Sequence, residues 1–113
     1  MADEQRVVVV TGAFGVLGAA VARAFARTGV RVALVDVAPQ ASADLQSEFA
    51  PPHLLLGGAD LSDLESTRKT MAVVAMRFGG IDVLVNVAGG FRWEKLEDGE
   101  WGIDFEISYR RLP

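Results

Sequence analysis

Residues 7–18 read Val-Val-Val-Val-Thr-Gly-Ala-Phe-Gly-Val-Leu-Gly, and no other stretch restricts the possible folds so strongly. Four consecutive β-branched residues, apolar on both faces, suit a central strand of a parallel sheet covered by helices on each side. The strand should end at Thr11. Gly12, Gly15 and Gly18 then allow a tight turn without Cβ atoms, so that backbone can approach a ligand before a helix opens near Val16. The first turn of a helix leaves N–H groups unpaired and carries partial positive charge, which together favour an anion such as a pyrophosphate.

A glycine-rich turn alone says little, because glycines also mark ordinary turns. Here it follows an expected strand, opens an expected helix, and precedes a second strand ending in Asp36, 24 residues after Gly12. That is the layout of a dinucleotide-binding βαβ unit. At the end of the second strand the Asp36 carboxylate can accept hydrogen bonds from the adenosine ribose hydroxyls. A 2′-phosphate there would meet like charge, and Val37-Ala38 offers no arginine to offset it. NAD is therefore expected in preference to NADP.

The rest of the chain continues the alternation. Residues 19–28 read as a sheet-packing helix with Val21, Ala24 and Phe25 at helical spacing, capped by Gly29, and residues 30–35 form the second strand. Residues 39–50 contain a modest helix with Leu45 and Phe49 on one face, stopped by Pro51-Pro52. Residues 53–57 follow as a third strand, with His53, the only histidine, expected at the surface. Ser62 and Glu65 form a capping box that starts a helix carrying Leu64, Met71, Val74, Ala75 and Phe78 in one stripe, the methionines serving as core. Gly79-Gly80 ends it, and residues 81–87 form a fourth strand, apolar on both faces except for Asn86.

Composition narrows the function classes. At 113 residues the chain is at most one domain, short for a doubly wound fold with two mononucleotide-binding halves. With 50% hydrophobic and 23% charged residues and a net charge of −4, it lacks the basic patch that nucleic acid requires. No run reaches membrane-spanning length, and the polar N-terminus resembles no targeting peptide, so neither a membrane nor a nucleic-acid partner is expected. The lack of cysteine excludes thiolate catalysis and disulfides and accords with a cytoplasmic setting. No metal site is expected.

Taken together, Thr11-Gly-Ala-Phe-Gly-Val-Leu-Gly18, Asp36, Asp60-Leu61 and Asn86-Val-Ala-Gly89 resemble the N-terminal half of a short-chain dehydrogenase/reductase over residues 6 to 101. The resemblance implies an α/β, Rossmann-like three-layer fold. Its parallel sheet would have about four strands in the order 3-2-1-4 with helices on both faces, truncated relative to the full doubly wound fold, and residues 99–113 would form an atypical tail. It also implies that Thr11, Gly12, Phe14, Gly15, Val16, Leu17 and Gly18 surround the cofactor pyrophosphate. Asp36 would take the adenosine ribose, Asp60 and Leu61 the adenine, and Asn86, Ala88 and Gly89 the ribose region and the fourth strand.

The sequence departs from the family pattern in several places. The middle glycine stands one residue early, at Gly15, and Val87 replaces the second asparagine of the usual Asn-Asn-Ala-Gly. Ser108 stands where the family has a helical asparagine. The only tyrosine is Tyr109, and no lysine follows Lys95, so the Tyr-x-x-x-Lys pair is missing from these residues. A tyrosine phenol exchanging a proton with substrate needs a nearby ammonium to lower its pKa from about 10. The expected activity of the family is hydride transfer between NAD and a carbonyl or alcohol. This chain is expected to hold only the cofactor-binding half, without catalytic residues and inactive alone. A non-catalytic interaction module remains an alternative, since the apolar fourth strand, Val83-Leu-Val-Asn-Val87, would present an open edge for self-association. A methyltransferase binding an adenosine cofactor is a lesser one.

Overall fold

The computed structural model describes residues 6–87 and 106–112. Along the chain run β1 (Val7–Thr11), α1 (Val16–Ala26), β2 (Arg31–Val35), α2 (Ala43–Glu48), β3 (Leu54–Leu56), α3 (Leu64–Phe78), β4 (Ile81–Asn86) and β5 (Glu106–Leu112). They build a single sheet in the order β3-β2-β1-β4-β5. The first four strands are parallel, in the expected order, with Val9 of β1 level with Ala33 on one side and Leu84 on the other.

β1 sits at the centre because both its faces are apolar, and all five of its residues are buried. Val8 and Val10 join Ala19 and Ala22 of α1, Leu45 of α2, Phe49, Val32, Leu34, Val83 and Val85 in one core. Val7 and Val9 join Ala33, Val35, Ile81 and Val74 of α3 in the other, with Met71 and Phe78 packed at its margin. This is the three-layer arrangement that a two-faced apolar strand demands. Asp82 has a reason to stand in an apolar strand: its Oδ2 accepts from the Val7 N–H at 2.9 Å, tying β4 to the start of β1.

Several local expectations need correction. The helix after Asp60 is capped by Asp63, whose carboxylate accepts from the Ser66 N–H at 2.8 Å, and not by Ser62. Ser62 is already engaged, donating both its N–H and its hydroxyl to Asp60 Oδ1, so the cap falls one residue later. The apolar stripe of α3 is narrower than its spacing suggests. Thr70 and Val74 are buried, whereas Leu64 is 66% exposed and Met76 87%, so only Met71 of these two methionines packs against the core. β4 alternates, with Ile81, Val83 and Val85 buried and Asp82, Leu84 and Asn86 half-buried.

The largest correction concerns the outer edge of β4. That edge is paired, not open: β5 runs antiparallel along it, with Val83 level with Tyr109, Val85 with Ile107 and Asn86 with Glu106. A register shift falls between Ile81 and Val83. Residues 106–112 are therefore a strand, where comparison with the family pattern placed a helix. The edge on which a self-association surface was expected already has its main-chain partner.

Candidate functional site

The carboxyl ends of β1, β2 and β4 and the segment after β3 converge on one cleft of about 610 Å³. Gly12 and Gly15 line it from the first turn, Asp36 and Val37 from the end of β2, residues 59–62 from beyond β3, and Asn86 and Val87 from the end of β4. Ligands of open α/β sheets bind at this edge, where the chain leaves the sheet to opposite sides.

The turn between β1 and α1 explains its glycines one by one. Gly12 has φ 64°, a left-handed conformation that costs glycine little. Gly18 lies against the turn itself, where a Cβ would come within 2.1 Å of the Gly12 carbonyl oxygen and 2.7 Å of Ala13 Cα. Gly15 is different: a Cβ there would meet nothing closer than the Gly12 oxygen at 3.6 Å, an ordinary contact. The protein itself gives no packing reason for glycine at position 15; the space beside it is the cleft. Gly15 is also the N-cap of α1 and supplies no side-chain hydrogen bond, so the opening turn is left uncapped where it meets the cleft. An anionic group is what such an opening suits.

Asp36 does more than end β2. Its Oδ2 accepts from the Phe14 N–H at 2.9 Å and its Oδ1 from the Ala38 N–H at 3.0 Å. Thr11 is buried and does not line the cleft. Its hydroxyl donates to Asn86 Oδ1 and accepts from the Val87 N–H at 3.1 Å, locking the ends of β1 and β4 together. Beside that engaged oxygen, Asn86 offers a ligand its amide NH2, a donor. Asp60 holds a small network: the Ser62 hydroxyl and N–H both donate to its carboxylate, keeping its pKa below the ordinary value. Its own N–H donates to Ser66 Oγ.

Of the residues expected from sequence, Gly12, Gly15, Asp36, Asp60, Leu61 and Asn86 share the cleft. Gly18 is buried behind the turn, and Val16 and Leu17 are exposed at the start of α1. Phe14 lines a second groove of about 490 Å³, beside Pro39, Gln40, Phe49 and His53. Ala88 and Gly89 lie outside the described residues. Val37, Ala59, Ser62 and Val87 line the cleft without having been singled out. For Val37 a signal existed, since an apolar residue directly after the acid of β2 has no core to enter, and it is 68% exposed.

His53 stands apart from the cleft and is not simply a surface residue. Its Nδ1 accepts from the Val32 N–H at 3.1 Å, its ring packs edge-on against Phe49, and burial holds its pKa below the ordinary value. Among the described residues no cluster of His, Cys, Asp or Glu could hold a metal ion, and no helix is long and apolar enough to cross a membrane.

Comparison with known proteins agrees with this geometry. The family described as short chain dehydrogenase matches residues 6–108. The chain belongs to the short-chain dehydrogenase family. It is 38% identical over 97 residues to human 15-hydroxyprostaglandin dehydrogenase [NAD(+)], covering 80% of this chain and 36% of that protein. A short chain dehydrogenase from Bacillus anthracis superimposes with a TM-score of 0.72 at 27% identity, covering 87% of this chain and 40% of that one. A 3-ketoacyl-(acyl-carrier-protein) reductase from Brucella melitensis, solved in complex with NADH, superimposes with a TM-score of 0.64 at 26% identity, covering 70% of this chain and 32% of the other. This short-chain dehydrogenase chain thus spans less than half the length of the relatives it matches. What it shares with them is the oxidoreductase family's cofactor-binding half, and the family's cofactor is NAD(P).

Proposed function

We propose that these residues bind NAD in the cleft at the carboxyl ends of β1, β2 and β4, in preference to NADP, and that by themselves they bind it without turnover. The observation that carries the reading is the meeting of three features at one edge. These are the uncapped start of α1 behind Gly15, the Asp36 carboxylate, and the pair Asp60-Leu61 beyond β3. The pyrophosphate would lie against the glycine turn and the first turn of α1. The adenosine ribose would lie by Asp36, and the adenine between Val37 and Leu61. Asn86 would face the cofactor from the end of β4, and Ala88 and Gly89 would contact the ribose region, as resemblance to the family implies. Thr11 and Gly18 would serve by holding the walls in place, and Phe14, Val16 and Leu17 by forming the turn.

Preference for NAD rests on charge. A 2′-phosphate next to Asp36 meets about 1 kcal/mol of repulsion per unit charge at 4 Å even in bulk water, which is roughly fivefold in affinity. Val37 and Ala38 offer no cation in compensation. Bound NAD supplies hydride chemistry, in whole proteins of this kind toward a carbonyl or alcohol. These 113 residues hold a single tyrosine and no Tyr-x-x-x-Lys pair, so the proton-transfer partner of that chemistry is not among them. A cytoplasmic setting is part of the proposal, and the lack of cysteine is compatible with it. Residues 106–112 pair with β4 and would serve the sheet and not the cofactor. Titrating NAD, NADP and S-adenosylmethionine in parallel tests the reading. NAD should bind tightest, with NADP at least about fivefold weaker. Tightest binding of S-adenosylmethionine, or no binding of any of the three, would refute it.

A further inference from the structure

Asp36 stands where a carboxylate would meet ribose hydroxyls, yet both its oxygens already accept backbone hydrogen bonds within the protein. The bond to Ala38 is local and shapes the exit from β2. The bond to Phe14 reaches 22 residues back along the chain to the middle of the glycine turn. It works beside a second fastening, the Ala13 N–H donating to the Val35 carbonyl at 3.1 Å. Two successive N–H groups of the turn are thus tied to the last two residues of β2, counting Asp36 as its exit. The Gly15 N–H is used within the turn, donating to the Gly12 oxygen at 3.3 Å. The turn presents the opening of α1 to the cleft only while it is held in this shape, and Phe14 is its one N–H held by a side chain among these bonds.

We propose that Asp36 is a positioning residue for the glycine turn, so that phosphate binding depends on its carboxylate even for a ligand with no ribose hydroxyls. The proposal rests on the cleft being a dinucleotide site, as above. Each carboxylate oxygen has a second lone pair, so fastening the turn and accepting from a ribose diol are compatible. The two roles differ in sign for an anionic ligand lacking the diol. A carboxylate serving only the diol would repel such a ligand, and its removal would leave affinity unchanged or raise it. A carboxylate that shapes the turn would, on removal, weaken binding despite the lost repulsion.

The experiment compares ADP and 2′,3′-dideoxy-ADP on the 15N-labelled chain and on Asp36→Ala, following amide shifts. The expected result is that Asp36→Ala weakens both ligands, dideoxy-ADP by about fivefold or more, equivalent to about 1 kcal/mol. Unchanged or tighter binding of dideoxy-ADP overturns the proposal. On the unsubstituted chain, a through-hydrogen-bond coupling between the Phe14 nitrogen and Asp36 Cγ should be measurable. Its absence overturns the proposal even if Asp36→Ala does not fold. If the unsubstituted chain binds neither nucleotide, the dinucleotide reading falls, while the coupling still decides whether Asp36 fastens the turn.

Discussion

Gly15 and Gly18 lie three residues apart in one turn and should respond to alanine in opposite ways. At Gly18 the new methyl group would sit 2.1 Å from the Gly12 oxygen and 2.7 Å from Ala13 Cα, both main-chain atoms that no rotamer change can move aside. Overpacking of this kind costs about 1–3 kcal/mol, and contact with main chain places it toward the upper end. Alanine recovers up to about 1 kcal/mol of helix propensity, since Gly18 lies inside α1. The net expectation for Gly18→Ala is a loss of about 2 kcal/mol, or a melting temperature lower by about 8 °C or more for a domain of this size. At Gly15 the methyl group meets nothing nearer than 3.6 Å, and the backbone there, φ −84° and ψ 173°, suits any residue. Gly15→Ala should leave the melting temperature within a few degrees, because a poorer N-cap is offset by a less flexible unfolded chain. It should weaken NAD by about tenfold or more, because Gly15 lines the cleft where the pyrophosphate is proposed to lie. Calorimetry of both variants and NAD titration of Gly15→Ala decide the matter. A Gly18→Ala chain that melts with the original would refute the packing account, and full NAD affinity in Gly15→Ala would refute the placement of the phosphates.

Three further outcomes are expected. His53 is held neutral by burial, its pKa below 6.5, so the unfolded chain takes up the proton first. Stability is then complete above the unfolded value and is lost as pH falls through it toward the lower folded value. Urea midpoints should drop as pH falls below about 6.5, and His53→Asn should flatten that drop, since the chain has no other histidine. Asp63→Ala should cost about 1 kcal/mol through loss of the α3 cap; if Ser62→Ala proves the more damaging in urea unfolding, the cap has been misplaced. Thr11→Val keeps the shape of the side chain but leaves the buried Val87 N–H without its acceptor, at about 1–3 kcal/mol, and Thr11→Ser should restore most of it. Equal stability of the valine and threonine chains would show that the hydroxyl link between β1 and β4 contributes nothing.

How much of this was legible in the sequence depended on how local each signal is. The apolar run of β1, the turn after it and the pair Leu45 and Phe49 depend on neighbours a few residues away, and all came out as their spacing suggests. The cap of α3 was misread because Ser62 and Asp63 are adjacent candidates, and only the capture of Ser62 by Asp60 separates them. Met76 was misread because helical spacing describes a stripe without saying how much of it the sheet covers. β5 was invisible for a different reason. Its strand character depends on pairing with β4, 20 or more residues earlier, and resemblance to relatives suggested a helix there. The gathering of Gly12, Gly15, Asp36, Asp60, Leu61 and Asn86 at one cleft was legible, because a parallel order of 3-2-1-4 brings those strand ends together. The bond from Asp36 to Phe14 was not, since nothing in the composition of either segment announces it.

The four valines of β1 carry a hazard of their own. Sliding a strand by one residue normally exposes it at once, by turning its oily side outward. In β1 such a slip would replace valine with valine at nearly every place, and the core would scarcely register the error. Alignment must therefore be read from the two ends, where Asp82 grips the Val7 N–H and Thr11 meets Asn86 and the Val87 N–H. The middle of the strand acts as a featureless rod and the polar contacts at its tips as the marks on a ruler. Substituting both tips together should loosen the alignment of the whole sheet far more than the sum of the two separate losses.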